Sequence, residues 1–504
     1  MNCVWIVILL ATCASAQLGS AGSSQSSTAA QLPLSGRTGQ SGSVAASEAP
    51  VPGTTTSVNT LNPSIQVQGP FSGSVSGPPF SGKLSLQEAI QRGLRYNLGA
   101  VNLSQAAQQV HGQSLVARSA LMPNVNGSLA ETVEQLNLQA NGLRFRSPVP
   151  GFSVPSIVGP FNFFDLRARL SQSVVDLTAW NNYRSSSDLV RANQLSLRDA
   201  RDLVVLAVGG AYLQVIAAGA RVQSARAQFE TATALYEQTS QQRKAGLLAQ
   251  VDVDRSEVQM LTQKQRLLSL QNDLAKQKIN LARIAGLPPT YEYEISDDIS
   301  FSATQSMTFT DALQQALAQR SDLKASEAQI RAAEHTLSAA RGERLPSLSV
   351  AGDYGVIGTN PAQSHGTFSF SGTLRVPIWQ GGRAEGDIEQ ANAALGQRRA
   401  ELDDLRREVE AEVRSACLDL ESASSQVEVA QRNVQVNKET LDLTRQRFEA
   451  GVTDSVEVVQ AQASLAAADL DYINSVFAHN LAKLSLARAT GNAADHLAEF
   501  LKIP

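Results

Sequence analysis

The 504-residue chain is poor in the residues that carry most protein chemistry. It has three cysteines and five histidines, and only 17% of its residues are charged. Cys3 and Cys13 lie in the first sixteen residues, so a mature chain cleaved after Ala16 keeps Cys417 alone. One cysteine excludes an intrachain disulfide and a cysteine-based metal site. His111, His335, His365, His479 and His496 are scattered, and none has a second histidine or a cysteine within a helical turn, so no metal-ligand spacing exists. The chain has no GxxxxGK[ST] loop, no HExxH and no GxSxG. These absences leave no catalytic constellation and call for no cofactor. A net charge of −4 gives no electrostatic footing for nucleic acid.

Long hydrophobic runs are also missing, except at the N-terminus. Val4 to Ala11 is a short apolar core, and Ala14-Ser15-Ala16 precedes Gln17. This reads as a secretory signal over 1–16, too short to span a bilayer. Leu10-Ala11-Thr12-Cys13 also has the outline of a lipoprotein signal, which leaves lipidation of Cys13 open. Residues 17–82 are rich in Ser, Gly, Thr, Pro and Gln and read as a disordered tether.

What the chain does have is a long internal duplication. Leu84 opens a helical segment that ends at Leu121-Met122-Pro123, and Met307 opens another that ends at Arg344-Leu345-Pro346. The spacing from Leu84 to Met307 equals the spacing from Pro123 to Pro346, so the two segments match end to end. Further on, Ala245-Gly246-Leu247 and Ala450-Gly451-Val452 repeat at a slightly shorter spacing. The expected division is a first repeat over 83–300, a second over 301–492 and a tail over 493–504.

Each repeat has the same order. A helical segment is split by a polar break, at Tyr96-Asn97 or Arg320-Ser321, and stops at its proline. A period-two stretch follows. Leu348, Val350, Tyr354 and Val356 oppose Ser347, Ser349 and Asp353; Phe368, Phe370, Leu374, Val376 and Ile378 oppose Thr367, Ser369 and Arg375. This predicts a hairpin with one apolar face over about 347–378. Val125, Leu129, Val133, Phe164, Leu166 and Leu170 alternate in the same way, predicting a hairpin over about 124–174 with a long loop at 136–160. Strands of this kind suit lipid on one side and water on the other. Four strands cannot close a membrane barrel, since known ones need at least about eight. Several chains must therefore share it. Residues 178–243 and 383–449 then run without proline, each on the order of 100 Å as a helix. They turn at Gly246 and Gly451 and return through 252–285 and 456–489, which predicts extended antiparallel coiled coils. Cys417 falls in an apolar helical pattern, at the position that matches Tyr212 in the first repeat, and reads as a core residue.

The segment from Arg447 to Ala461, which contains Gly451-Val452-Thr453-Asp454-Ser455-Val456-Glu457, resembles the helix-turn-helix signature of TolC-like outer membrane efflux proteins. Leu374-Arg375-Val376-Pro377-Ile378-Trp379-Gln380-Gly381-Gly382 is similar to that family's strand-to-helix junction; Ser173-Val174-Val175-Asp176-Leu177 lacks the proline and the glycine pair. The resemblance covers 84–491. It implies an α+β, mostly α fold, in a homotrimer that shares one twelve-stranded barrel in outer membrane lipid and builds a helical tunnel across the periplasm. It implies an exit duct without chemistry of its own, fed by an inner-membrane transporter through a periplasmic adaptor. Gly246, Leu247, Gly451, Val452 and Thr453 match the tips where adaptors dock. Asp252 and Glu457 match inward-pointing acidic residues of the periplasmic gate. Gln460 stands where well-known members carry an acid, and Thr453 where some carry a locking arginine, which implies a weaker lock and a less acidic ring. The alternative is a secreted, pore-free coiled-coil or adhesin-like protein. The cargo is not legible.

Overall fold

In a computed structural model, the described residues run from 69 to 494, apart from 79, 81, 141, 143–154, 289–292, 298–300, 302–306, 454 and 492. The signal segment, the extension up to 68, most of the 136–160 loop and the tail beyond 494 lie outside them. The elements in order are β1 (Lys83–Leu84), α1 (Leu86–Tyr96), α2 (Leu98–Ser119), β2 (Asn124–Asn137), β3 (Ile157–Val175), α3 (Leu177–Lys244) and α4 (Gln250–Ala285). The second set is β4 (Glu294–Ile295), α5 (Phe309–Gln319), α6 (Ser321–Gly342), β5 (Ser347–Gly358), β6 (His365–Arg375), α7 (Arg383–Glu449) and α8 (Ser455–Ala489).

The duplication is visible in the helix caps. Ser85 Oγ accepts the Glu88 amide to start α1, and Thr308 Oγ1 accepts the Asp311 amide to start α5, each at 3.2 Å. The breaks fall where the sequence places them. Asn97 and Arg320 take extended backbone angles between the paired helices. Asn97 accepts the Gly99 amide at 3.0 Å and donates to the carbonyls of Phe71 and Ile284. Arg320 sits against the carboxylates of Asp322 and Glu412 and donates to the Ala489 carbonyl at 3.4 Å. Ile284 and Ala489 occupy equivalent positions at the ends of the two return helices, so each break is pinned to the end of its own repeat's return helix. Burial alone would lower the Arg320 pKa, but its two carboxylate partners raise it, and the guanidinium stays charged.

Four strands form one antiparallel sheet in the order β2-β3-β5-β6. The hairpins differ in length. β3 has 19 residues against 11 in β6, and β2 and β3 continue pairing past Gly358, where β5 ends. β6 stops at Arg375, short of the predicted Ile378, because Pro377 offers no amide to a ladder. Cross-strand register puts Leu348 opposite Leu374, Tyr354 opposite Phe368 and Leu129 opposite Leu166 on one face. Glu131 opposite Phe164 interrupts that face near the end of the sheet. The other face carries Asp165, Arg167, Arg169, Asp353 and Ser369, with Arg167 bridging Asp165 at 3.2 Å and Asp353 across the strand.

The main core lies midway along the helices, where α1, α3, α4 and α8 meet. α3 contains a run apolar enough to span a membrane, yet 72% of that run is buried in protein, so it is a core segment. Tyr212 is fully buried and donates to the Leu84 carbonyl and to Asp297, both at 2.9 Å. Burial and the neighbouring Asp297 push its phenol pKa up, which keeps it a donor. Its counterpart Cys417 is half-buried against the second core, with Leu405, Val409 and Val413.

Asn97→Ala removes an acceptor for Gly99 and a donor to two carbonyls at a fully buried position. It is expected to destabilise the fold by about 2 kcal/mol, read as a lower thermal midpoint by circular dichroism; an unchanged midpoint contradicts the pinning role.

Candidate functional site: the paired helical tips

The two long hairpins turn in the same way. α3 ends with Gly246 at φ 76° and α7 with Gly451 at φ 71°, conformations that cost a residue with a Cβ. Gly246 N–H donates to Arg243 O and Leu247 N–H to Gln242 O; Gly451 N–H donates to Phe448 O and Val452 N–H to Arg447 O, all at 2.9–3.0 Å. Each pair of bonds is a Schellman closure, which satisfies the last carbonyls and throws the next side chain outward. Leu247 and Val452 are accordingly exposed apolar residues at the turns.

Asp252 begins α4, and its carboxylate accepts the Ser455 hydroxyl of α8 at 3.1 Å and faces Arg255 at 3.6 Å. The N-termini of the two return helices are thus linked. Glu457 lies 3.6 Å from Arg447 of α7, with both side chains half exposed. The predicted gate carboxylates therefore engage different partners, Asp252 across the repeats and Glu457 within its own. Gln460 is exposed and Thr453 is half-buried. Ser455 and Arg255 were not foreseen as partners of Asp252, nor Arg447 as a partner of Glu457. The spacing of Asp252 and Arg255 within one helical turn was the available signal for one of them.

Beside this link the return helices part. Val251, Val258, Val456 and Val459, with Asp254 and Arg255, line an open groove of about 550 Å³. Among the described residues no group of three His, Cys, Asp or Glu side chains is gathered for a metal. The arrangement offers exposed apolar tips, a valine-lined groove and carboxylates.

At the other end, the apolar sheet face stands unburied in one chain, with Phe368 80% exposed. Ile378 and Trp379 are also exposed where the sheet gives way to helix, and Trp180 stands in the first turn of α3. Aromatic residues at such a boundary match the girdles of outer-membrane barrels.

A four-stranded sheet with one exposed apolar face is thus joined to paired helices of about 100 Å. The model of the outer membrane efflux protein family matches residues 312–492. The chain is 25% identical to the outer membrane protein OprJ of Pseudomonas aeruginosa over 73% of this chain and 78% of that one. It is 24% identical to the outer membrane protein TolC of Vibrio cholerae over 75% of this chain and 86% of that one. The fold matches the CmeC outer membrane channel of Campylobacter jejuni with a TM-score of 0.72 at 16% identity, covering 88% of this chain and 98% of that one. It matches VceC of Vibrio cholerae with a TM-score of 0.69 at 16% identity, covering 81% and 97%. All four are outer membrane proteins or channels.

Gly246→Ala and Gly451→Ala place a Cβ at positive φ, a cost of roughly 1–2 kcal/mol each. The expected result is faster amide exchange at Leu247 or Val452 with little change in the global midpoint; unchanged exchange would remove the turn assignment.

Proposed function

We propose that the chain is one third of a passive exit duct, a homotrimer that takes cargo from an inner-membrane transporter through a periplasmic adaptor docked at the tips. The observation that carries this reading is a mismatch between equivalent positions of the two repeats. Within one chain α8 leans on α3: Arg221 donates to Asn474 at 2.6 Å, and Leu484 packs over Gly209. Leu484 is fully buried, but its counterpart Ile279 on α4 is 50% exposed. Leu213 on α3 is 3% exposed, and its counterpart Leu418 on α7 is 58% exposed. Each chain thus has one made helix seam and the two halves of a second. Placing α4 of one chain on α7 of the next completes it, and rotation about an axis closes the ring. The same operation pairs the free edges of β2 and β6, and three chains bring the strand count to a closed barrel of twelve.

In that ring the tips come together at the periplasmic end. Leu247, Val452, Gly246, Gly451 and Thr453, with the valine-lined groove between the hairpins, form the surface for the adaptor. Three copies each of Asp252 and Glu457 surround the aperture, Gln460 adds a neutral layer, and the carboxylates favour cations. The Asp252–Ser455 hydrogen bond holds the two return helices together in the closed arrangement. It involves one charge rather than two, consistent with a weak lock.

Ile279→Asp sets a carboxylate into the seam. The chain is expected to run as a monomer on native gels and to lose its pore; a trimer of normal heat resistance would argue against this seam. Asp252→Asn combined with Glu457→Gln is expected to move the reversal potential of the reconstituted pore toward zero in a salt gradient. An unchanged value removes the gate assignment. Recovery of wild-type protein as a soluble periplasmic monomer would sink the duct reading and favour the pore-free alternative.

A further inference from the structure

The two hairpins of one chain meet at a polar site between the main core and the tips. Ser224 and Gln228 of α3, Gln263 of α4, and Gln462 and Asp469 of α8 border a space of about 100 Å³, with Leu441 of α7 beside them. Gln462 and Asp469 follow Ser455 by about two and four helical turns. The site therefore stands roughly 10–20 Å above the Asp252–Ser455 link.

Its side chains are deeply set and incompletely met. Gln263 and Gln462 are 7% and 9% exposed. Three amide atoms have no hydrogen-bond partner: Gln228 Oε1, Gln263 Oε1 and Gln462 Nε2. Buried polar atoms of this kind are costly unless something answers them. The Gln228 amide is fixed in orientation, because its Nε2 donates to Ser224 Oγ at 3.0 Å and Ser224 donates onward to Asp469 at 3.4 Å. Its oxygen is thus the end left over. Asp469 is half-buried on α8. Burial pushes its carboxyl pKa up by more than the Ser224 hydrogen bond and the charge of Lys438 pull it down, so the carboxylate is short of positive charge. Helix pairing by itself does not demand this set. Across the duplication the counterparts of Gln263 and Asp469 are Ala468 and Lys264, so the second repeat has neither the amide nor the carboxylate.

We propose that this site binds a monovalent cation, held by the amide oxygens of Gln228 and Gln263 and the carboxylate of Asp469, as a staple between the two hairpins. Neutral oxygens with one carboxylate suit a single positive charge. Calcium sites gather more carboxylates, and magnesium demands a near-ideal octahedron of oxygens. A partly hydrated ion also answers Gln462, whose Nε2 donates to the oxygen of an ion-bound water. The space takes the ion with about two waters, at about 30 Å³ each. Filled, the site fastens α3 and α4 to α8 above the Asp252–Ser455 bond, so the tips can part while the hairpins stay joined above them. The site is built within one chain, and its failure leaves the trimeric duct reading untouched.

The test uses the purified full-length protein in detergent, in sodium chloride, potassium chloride or choline chloride at equal ionic strength. At least one alkali salt is expected to raise the thermal midpoint over choline by roughly 2 °C, and to do so saturably. In that salt, amide exchange of the wild type is expected to slow around Gln263 and Gln462. Gln263→Leu and Asp469→Asn are each expected to lose the salt difference. Gln263→Leu is also expected to match or exceed the wild type in choline, since it has no buried oxygen to satisfy. Equal wild-type midpoints in all three salts overturn the site and assign water to the amides. A salt effect that leaves exchange at Gln263 and Gln462 unchanged, or that survives in both variants, overturns it as a surface effect.

Discussion

The sheet edge is the constraint on which everything else depends. β2 and β6 are the outer strands of a four-stranded sheet whose one face is apolar and exposed. In a bilayer there is no water to satisfy an edge, and each unpaired backbone group costs several kcal/mol. The chain cannot therefore use its sheet alone. A rotation that pairs β6 with the next chain's β2 also carries the helices that leave those strands, since α3 follows β3 directly and α7 follows β6 after a short Gly-ended junction. In the proposed trimer the helical seam between chains follows from edge pairing, and the exposed Ile279 and Leu418 supply its surfaces.

Much of this architecture is local and so was legible. The predicted breaks at Tyr96-Asn97 and Arg320-Ser321 fall where the helices divide, and the 178–243 and 383–449 helices are found over Leu177–Lys244 and Arg383–Glu449. Period, proline and glycine act within a few residues, which is why they can be read from one chain. What failed to show was long-range. Nothing in a period-two pattern tells β3 to outrun β6, because the extra rungs depend on a partner in β2. Nor does a charge pattern say that Asp252 meets Ser455 on the other repeat, or that Asp202 receives the chain leaving α8. At the tips the turn glycines were legible and their closures follow from them; the partners of the carboxylates were not.

The duplication also separates what the fold needs from how it is met. Both repeats must stop a helix, turn it and anchor the break to the end of a return helix. The first does so with a neutral amide, Asn97, and the second with a buried cation, Arg320, held by Asp322 and Glu412. The cation needs more partners to offset its desolvation, and Arg488 joins the same Glu412 at 2.6 Å. The backbone requirement is shared, while the side-chain solution is free to drift. The same holds for Tyr212, whose hydroxyl reaches Leu84 and Asp297, against Cys417, which only packs.

Opening the periplasmic end must then break few contacts if the barrel end is to stay intact. The sheet is held by long, nearly unbroken ladders, and the core midway along the helices by fully buried side chains such as Leu484 and Tyr212. At the tips the two hairpins share the Asp252–Ser455 bond beside an open groove, and the Glu457–Arg447 pair is exposed within one hairpin. An exposed ion pair contributes at most about 1 kcal/mol and a single charge-assisted hydrogen bond about 1.5–3 kcal/mol. Within one chain the density of stabilising contacts thus falls from the sheet toward the tips. On the proposed duct reading, a partner that filled the valine-lined groove would have to offset only that last link, which would confine motion to the tips.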